Sequence, residues 1–208
     1  RREERREVSC PLCAGRELET PPEVLAFRQP GSPPNRPGWW VRVVPNKFPA
    51  VGIEGNLCCR EAGMYESMDG VGAHEVIIES TDHQEELANQ SERQIEEILW
   101  AWRARLLDLR RDPRLRYIQI FKNKGSVAGA SLEHTHSQLI AIPFVPAQVS
   151  REMRGAQSYR ERHGSCVYCE MIRCELREGS RIVAAGEHVV AFAPYASRFP
   201  FEIWLMGR

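Results

Sequence analysis

Apolar and polar positions alternate with a period of two in three short stretches, and each predicts a β-strand. They are Trp39 to Val44 (WWVRVV), His74 to Glu79 (HEVIIE) and Tyr117 to Phe121 (YIQIF). A fourth apolar run, Leu139 to Val145, alternates less, but its β-branched content also favours a strand. Between 81 and 113 the period changes. Leu87, Ile95, Ile98, Leu99, Trp102, Leu106 and Leu109 recur at helical spacing, with Glu and Arg on the other face. Thr81-Asp82 is the expected cap of this long amphipathic helix, and Asp112-Pro113 its stop. Residues Thr20 to Gly38 read as a proline-rich loop. Gly52 to Gly72, with five glycines, reads as a long exposed one. Ala147 to His163 is polar and reads as a helix with a linker.

One pattern occurs twice. A C-x2-C pair, a loop, a strand, an aromatic-proline turn and a second strand appear first as CPLC, WWVRVVPNKFPAV and HEVIIE. They appear again as CVYC and HVVAFAPYASRFPFEIWLM. This predicts a duplicated α+β unit built on a mainly antiparallel sheet. The second copy stops at Arg208 without a helix or an HxH segment of its own, so an incomplete second copy is expected.

Composition narrows the function. The chain has 208 residues, 42% hydrophobic and 27% charged, with zero formal net charge. No global field draws it to nucleic acid or anionic lipid, and no apolar run approaches the roughly 18 residues of a membrane span. Arg1 to Glu7 is charged and shows no signal-peptide core, which predicts a cytoplasmic setting. Of seven cysteines, four form the pairs Cys10/Cys13 and Cys166/Cys169, a spacing that suits metal ligation better than a disulfide framework. Cys58, Cys59 and Cys174 suggest no role.

The sharpest chemical signal is His134-Thr135-His136-Ser137-Gln138. On a strand, His134, His136 and Gln138 share one face, and three polar side chains beside apolar LIAIPFV are costly unless they bind something. A neutral imidazole nitrogen can attack phosphorus, provided the other ring nitrogen is held by an acceptor. Gln138 can donate an amide N–H to the charge that develops. Ser131 and the amides of Gly129 to Ser131 can add donors from a turn.

CPLCAG, VVPNKFPAV, HEVIIESTDH, FKNKG and GASLEHTHSQ followed by IPFVP together resemble the galactose-1-phosphate uridylyltransferase family, a branch of the histidine-triad superfamily. The resemblance runs from about Cys10 to Met206 and implies histidine-triad-like halves. The first would span residues 1–148, with a linker over 149–165 and the start of the second repeat over 166–208. It further implies that His136 is the nucleophile carrying a nucleoside monophosphate. His134, Cys10, Cys13 and His83 would be ligands of a structural zinc. Gln138 and Ser131 would contact phosphate, and Asn46 and Asn123 the nucleoside. Cys166 and Cys169 correspond to a pair that helps bind a second metal in some members, and Glu152 to a metal-site carboxylate in others. Here Glu152 is expected on a helix surface. His74 is expected in a packing or turn role, and His163 and His188 in solvent.

His-Thr-His stands where the family commonly has His-Pro-His, and Gly-Ala-Ser where many members have Gly-Cys-Ser. Both features lean toward relatives that act as ADP-glucose phosphorylases. The implied substrates are a nucleotide-sugar and a sugar phosphate, with inorganic phosphate as the alternative acceptor, and the implied assembly is a homodimer. Two other classes compete. A histidine-triad hydrolase would carry a third histidine where this chain has Gln138. A non-catalytic zinc module would not need His136 and Gln138 beside a Gly-Ala-Ser turn.

Overall fold

The computed structural model describes residues 10–208; the charged stretch Arg1 to Glu7 lies outside the described residues. Contacts divide the chain into two compact units, one ending at Val145 and the other running Pro146–Arg208.

The first unit is a five-stranded antiparallel sheet with one long helix against it. Its strands are β1 (Leu25–Arg28), β2 (Trp39–Pro45), β5 (Ala73–Ile78), β6 (Tyr117–Phe121) and β7 (His136–Ile142), in the order β1-β2-β5-β7-β6. Helix α1 (Glu92–Leu109) lies on one face. Val41, Val43, Ala73, Ile77, Leu139 and Ala141 from the sheet meet Ile98, Ala101 and Leu109 from the helix in the main core. A fully buried aliphatic side chain such as Leu139 contributes about 1.5–3 kcal/mol. Two polar contacts fix the docking of α1. Arg105 forms a buried bidentate pair with Glu75 at 2.7 and 2.8 Å, and Trp102 Nε1–H donates to Ser137 Oγ at 2.8 Å.

The opposite face of the sheet carries His74, Val76, His136 and Gln138. A second cluster of Cys10, Leu12, Trp39, Val44 and Ile78 covers it. Trp39 reaches this face although Val41 and Val43 face α1. The reason is a bulge: Phe27 pairs with Val41 and Arg28 with Trp39, so Trp40 is an extra residue that reverses the alternation. Arg42 is buried on β2 and donates to Glu23, Thr20 and the Glu17 carbonyl, which ties the preceding loop down. Gly72 leads into β5 so close to β7 that a Cβ there would lie 2.2 Å from the Ala141 carbonyl oxygen.

Several expectations are corrected. The stretch Thr20 to Gly38 is not all loop, because it contains β1. The helix is not capped by Thr81-Asp82. It begins at Glu92, where Ser91 accepts from the Gln94 amide at 3.2 Å. Ser91-Glu92-Arg93-Gln94 has the S-x-x-Q form of a capping box, but the Gln94 side chain instead bonds the carbonyls of Trp40 and Glu79. Leu87 belongs to a separate short 3-10 turn, Leu87–Asn89. The segment Gly52 to Gly72 is not all loop. It contains a hairpin, β3 (Cys59–Ala62) and β4 (Tyr65–Met68), exposed along its whole length. Gly63, at φ 65, is the first central residue of its two-residue turn, as a II′ turn requires. Finally, the strand expected over Leu139 to Val145 begins earlier, at His136, and ends at Ile142, which leaves His134 and Thr135 just ahead of it.

In the second unit, α2 (Ala147–His163) and α3 (Val167–Glu178) precede an antiparallel three-stranded sheet of β8 (Ile182–Ala185), β9 (Val189–Phe192) and β10 (Trp204–Gly207), in the order β10-β9-β8. Ile172, Val190 and Phe192 form its core, with Trp204 and Met206 against them. A helix, not a loop, follows Cys166. Like β1-β2-β5, the strands β8-β9-β10 form an antiparallel meander, and a proline-containing aromatic segment follows the middle strand in each.

Candidate active site and metal centre

The candidate metal centre is assembled from three separate stretches. Cys10 and Cys13 sit in a turn closed by the Cys13 N–H on the Cys10 carbonyl. His83 follows β5, and His134 precedes β7. One ligand atom from each lies within 4.8 Å of all the others. Cys13 Sγ is 3.4 Å from His83 Nδ1 and 3.6 Å from His134 Nδ1. His134 Nε2–H donates to the Ser80 carbonyl at 2.8 Å, so its Nδ1 lone pair faces the thiols. Burial holds His134 below its ordinary pKa, which favours the neutral ring. Burial, with the neighbouring Cys10, pushes the Cys13 thiol up to about 11. These four donors can hold a metal ion. His83 stands nine residues upstream of α1, on the turn after β5.

His136 opens β7 and is nearly buried, at 8% exposure. Its Nδ1–H donates to the His134 carbonyl at 2.7 Å. In the neutral imidazole that contact puts the lone pair on Nε2, to which no described residue hydrogen-bonds. His136 lines two cavities. One, of about 400 Å³, is also lined by Leu12, Val44, Asn46, Val76, Ser131 and Gln138. The other, of about 540 Å³, is lined by Leu87, Ile95, Lys122, Asn123, Lys124 and Gly125. Asn46 and Asn123 therefore line different cavities, which share Leu132 and His136. The amides of Gly129 and Ala130 are taken by the Ser126 and Gly125 carbonyls, so of the expected donor turn it is Ser131 that reaches the cavity.

Two features were invisible in the residue pattern. His74, expected to pack or turn, stands 2.9 Å from Gln138 Oε1 through its Nε2, beside Asn46. The cross-strand register explains it: His74 and Gln138 are diagonal neighbours on one face of β5 and β7. Lys122 was not singled out either. It pairs with fully buried Glu79 and donates to Thr135 Oγ1 at 2.8 Å and to the His136 carbonyl at 3.1 Å. The Thr135 hydroxyl in turn donates to Glu79 at 2.9 Å, a bond that a proline at this position lacks.

Cys166 and Cys169 are exposed at the head of α3. Backbone N–H groups of Cys169 and Tyr168 hold the Cys166 thiol below its ordinary value, and the hydrogen bond with Cys166 raises that of Cys169. Among the described residues they join no group of three or more metal-ligating side chains. Glu152 is exposed on α2, and His163 and His188 are exposed. No helix of the described residues is long and apolar enough to cross a membrane.

An antiparallel α+β sheet with a Cys2His2 cluster at one end of its histidine strand defines the structural class. The family described as galactose-1-phosphate uridyl transferase, N-terminal domain, matches residues 41–146, about half of the chain. An ADP-glucose phosphorylase of Arabidopsis thaliana is 38% identical over 202 residues, covering 96% of this chain and 55% of the relative. A galactose-1-phosphate uridylyltransferase of Thermotoga maritima is 30% identical over 199 residues, covering 94% and 56%. A crystal structure of an Arabidopsis thaliana ADP-glucose phosphorylase with bound ADP-glucose superposes with a TM-score of 0.78 at 34% identity, over 96% of this chain and 59% of that one. A solved uridylyltransferase gives 0.79 at 26% identity, over 98% and 60%. The chain belongs to the galactose-1-phosphate uridylyltransferase family. It spans just over half the length of these relatives.

Proposed function

We propose that this chain carries the nucleotidyl-transfer centre of an enzyme that moves a nucleoside monophosphate between a nucleotide-sugar and a phosphorylated acceptor. The observation that carries this is the His136 ring. Its Nδ1–H is held by the His134 carbonyl, so the Nε2 lone pair is kept as a nucleophile beside two cavities. Nε2 attacks the α-phosphorus and forms a P–N bond. The P–O bond to the departing sugar 1-phosphate breaks, and its electron pair leaves with that oxygen. A phosphate oxygen of the acceptor then attacks the same phosphorus and forms a P–O bond, the P–N bond breaks, and its electron pair returns to Nε2, which restores the neutral histidine. Gln138 and Ser131 supply donors to the non-bridging oxygens, and Asn46 and Asn123 contact the nucleoside.

The acceptor is a hexose 1-phosphate, as in the uridylyltransferase relatives. Inorganic phosphate is the second reading, favoured by the 38% identity to an ADP-glucose phosphorylase and by His-Thr-His. The setting proposed is the cytoplasm.

The resident metal is zinc. A tetrahedral ion with bonds of about 2.3 Å to sulfur and 2.0–2.1 Å to nitrogen places S and N about 3.5 Å apart. The Cys13–His83 and Cys13–His134 separations of 3.4 and 3.6 Å fit that. Cys10, Cys13, His83 and His134 fill all four positions, so zinc would hold the knuckle against the histidine strand.

The test is intact-mass analysis after incubation with ADP-glucose and UDP-glucose separately. One nucleotidyl adduct on His136, absent in His136→Ala, is expected, and its mass identifies the base. Chasing the adduct with inorganic phosphate or with glucose 1-phosphate identifies the acceptor. No adduct from either donor on folded, zinc-loaded protein refutes the proposal.

A further inference from the structure

We infer that His74 is a positioning residue that fixes the amide of Gln138, so that its NH2 faces the reacting phosphate and its carbonyl oxygen faces inward. This rests on the nucleotidyl-transfer reading of His136 and Gln138.

The assignment follows from which group must donate. The Ala50 backbone N–H donates to His74 Nδ1 at 3.1 Å, so Nδ1 carries a lone pair. A neutral imidazole then holds its proton on Nε2, and the group 2.9 Å from Nε2 is Gln138 Oε1, which accepts it. Asn46 Nδ2 approaches the same oxygen at 3.4 Å. The Asn46 amide is oriented independently, because its Oδ1 accepts the Phe48 backbone N–H at 2.9 Å. Asn46 Nδ2 also lies 3.1 Å from His74 Nε2, but both are donors, and the shared acceptor is Gln138.

Two donors from two elements therefore converge on Gln138 Oε1. Reversing the Gln138 amide would set its NH2 against both. The remaining Nε2 donors of Gln138 are left for the cavity shared with His136 and Ser131. A glutamine free to turn over would present a carbonyl oxygen to an anionic phosphate part of the time. A donor already aimed costs no reorganisation as charge develops.

His74 sits on β5 where its ring can do this. His74 pairs with Ile140 and Val76 with Gln138 in the antiparallel register, and all four share the sheet face away from α1. The Ala50 contact extends from the aromatic-proline turn after β2, so the turn sets the histidine tautomer, and the histidine sets the amide.

Two substitutions separate the roles. His74→Asn keeps an acceptor where Nδ1 stood, and so keeps the Ala50 contact, but its NH2 stands where Cδ2 was, one atom short of the Nε2 position that meets Gln138. His74→Gln places an amide nitrogen near the former Nε2 and keeps the donor. The experiment is single-turnover formation of the His136 adduct at saturating nucleotide-sugar, measured by quenched mass spectrometry, together with the donor Kd. His74→Asn is expected to slow the step about tenfold, with Kd changed less than twofold, and His74→Gln to restore most of that loss. In a Gln138→Ala background the His74→Asn substitution is expected to have no further effect, because its partner is gone. Equal rates for wild type and His74→Asn, or an undiminished His74→Asn effect in the Gln138→Ala background, overturn the inference while the adduct on wild type stands. Absence of the wild-type adduct overturns the parent reading, and this one with it.

Discussion

Replacing Lys122 by methionine should cost the first unit several kcal/mol, because the ammonium is the ion-pair partner of a carboxylate with no access to water. Glu79 is fully buried at the end of β5. Its Oε2 accepts from Lys122 and from Thr135 Oγ1, while its Oε1 has no hydrogen-bond partner among the described residues. Methionine preserves much of the length of the side chain and removes only the charge and the donors. The carboxylate would then remain buried with a single hydroxyl donor, and breaking a buried pair from one side costs about 3–5 kcal/mol. For a unit of this size that corresponds to a fall in melting temperature of roughly 8–15 °C. The assay is thermal and urea unfolding followed by tryptophan fluorescence, with Glu79→Gln and the double variant measured alongside. Because Glu79→Gln removes the stranded charge, the double variant should recover at least half of the loss caused by Lys122→Met. A shift below about 3 °C for Lys122→Met, or strictly additive losses in the double variant, would refute the reasoning.

Cys10→Ser should remove about one zinc per chain by elemental analysis, and chelator should then lower the melting temperature of the wild type but not of the variant; full zinc content in the variant would remove Cys10 from the ligand set. Glu17 is buried beneath the knuckle. Burial works against its charged form, but the Trp39 indole N–H at 2.8 Å and the Gly15 N–H at 3.0 Å hold its carboxyl below the ordinary 4.5. The folded-state value is the depressed one, so this stabilisation is present above the unfolded value and is lost as pH falls through the folded one. Glu17→Gln is therefore expected to cost about 1–2 kcal/mol at pH 7 in urea titrations, with the gap to wild type closing as pH falls below the ordinary carboxylate value. A gap independent of pH would contradict this.

Some of the molecule was written locally. A period of two put strands at Trp39–Pro45, Ala73–Ile78 and Tyr117–Phe121 within a residue of where the sequence pattern placed them, because each strand presents alternate side chains to opposite environments. At the helix start the pattern misled. Thr81-Asp82 was the expected cap, but the chain enters the helix ten residues later, at Ser91. Thr81-Asp82 instead belongs to the turn after β5 that places His83 beside Cys10, Cys13 and His134. The exposed hairpin β3–β4 has no buried face, and so it lacks the alternation that would have announced it.

By itself, the sequence determined the strand periods, the C-x2-C turn and the presence of a histidine pair with a glutamine two residues on. Tertiary structure alone decided what those groups face. The Trp40 bulge chooses the side on which Trp39 lies, and the β5–β7 register carries His74 to Gln138 across 64 positions of chain. Three distant segments bring Glu79, Lys122 and Thr135 into one buried network. Periodicity is a property of neighbours along the chain. A tautomer, an amide orientation or a buried ion pair is set by whichever donor arrives from elsewhere, and that follows from cross-strand register and packing.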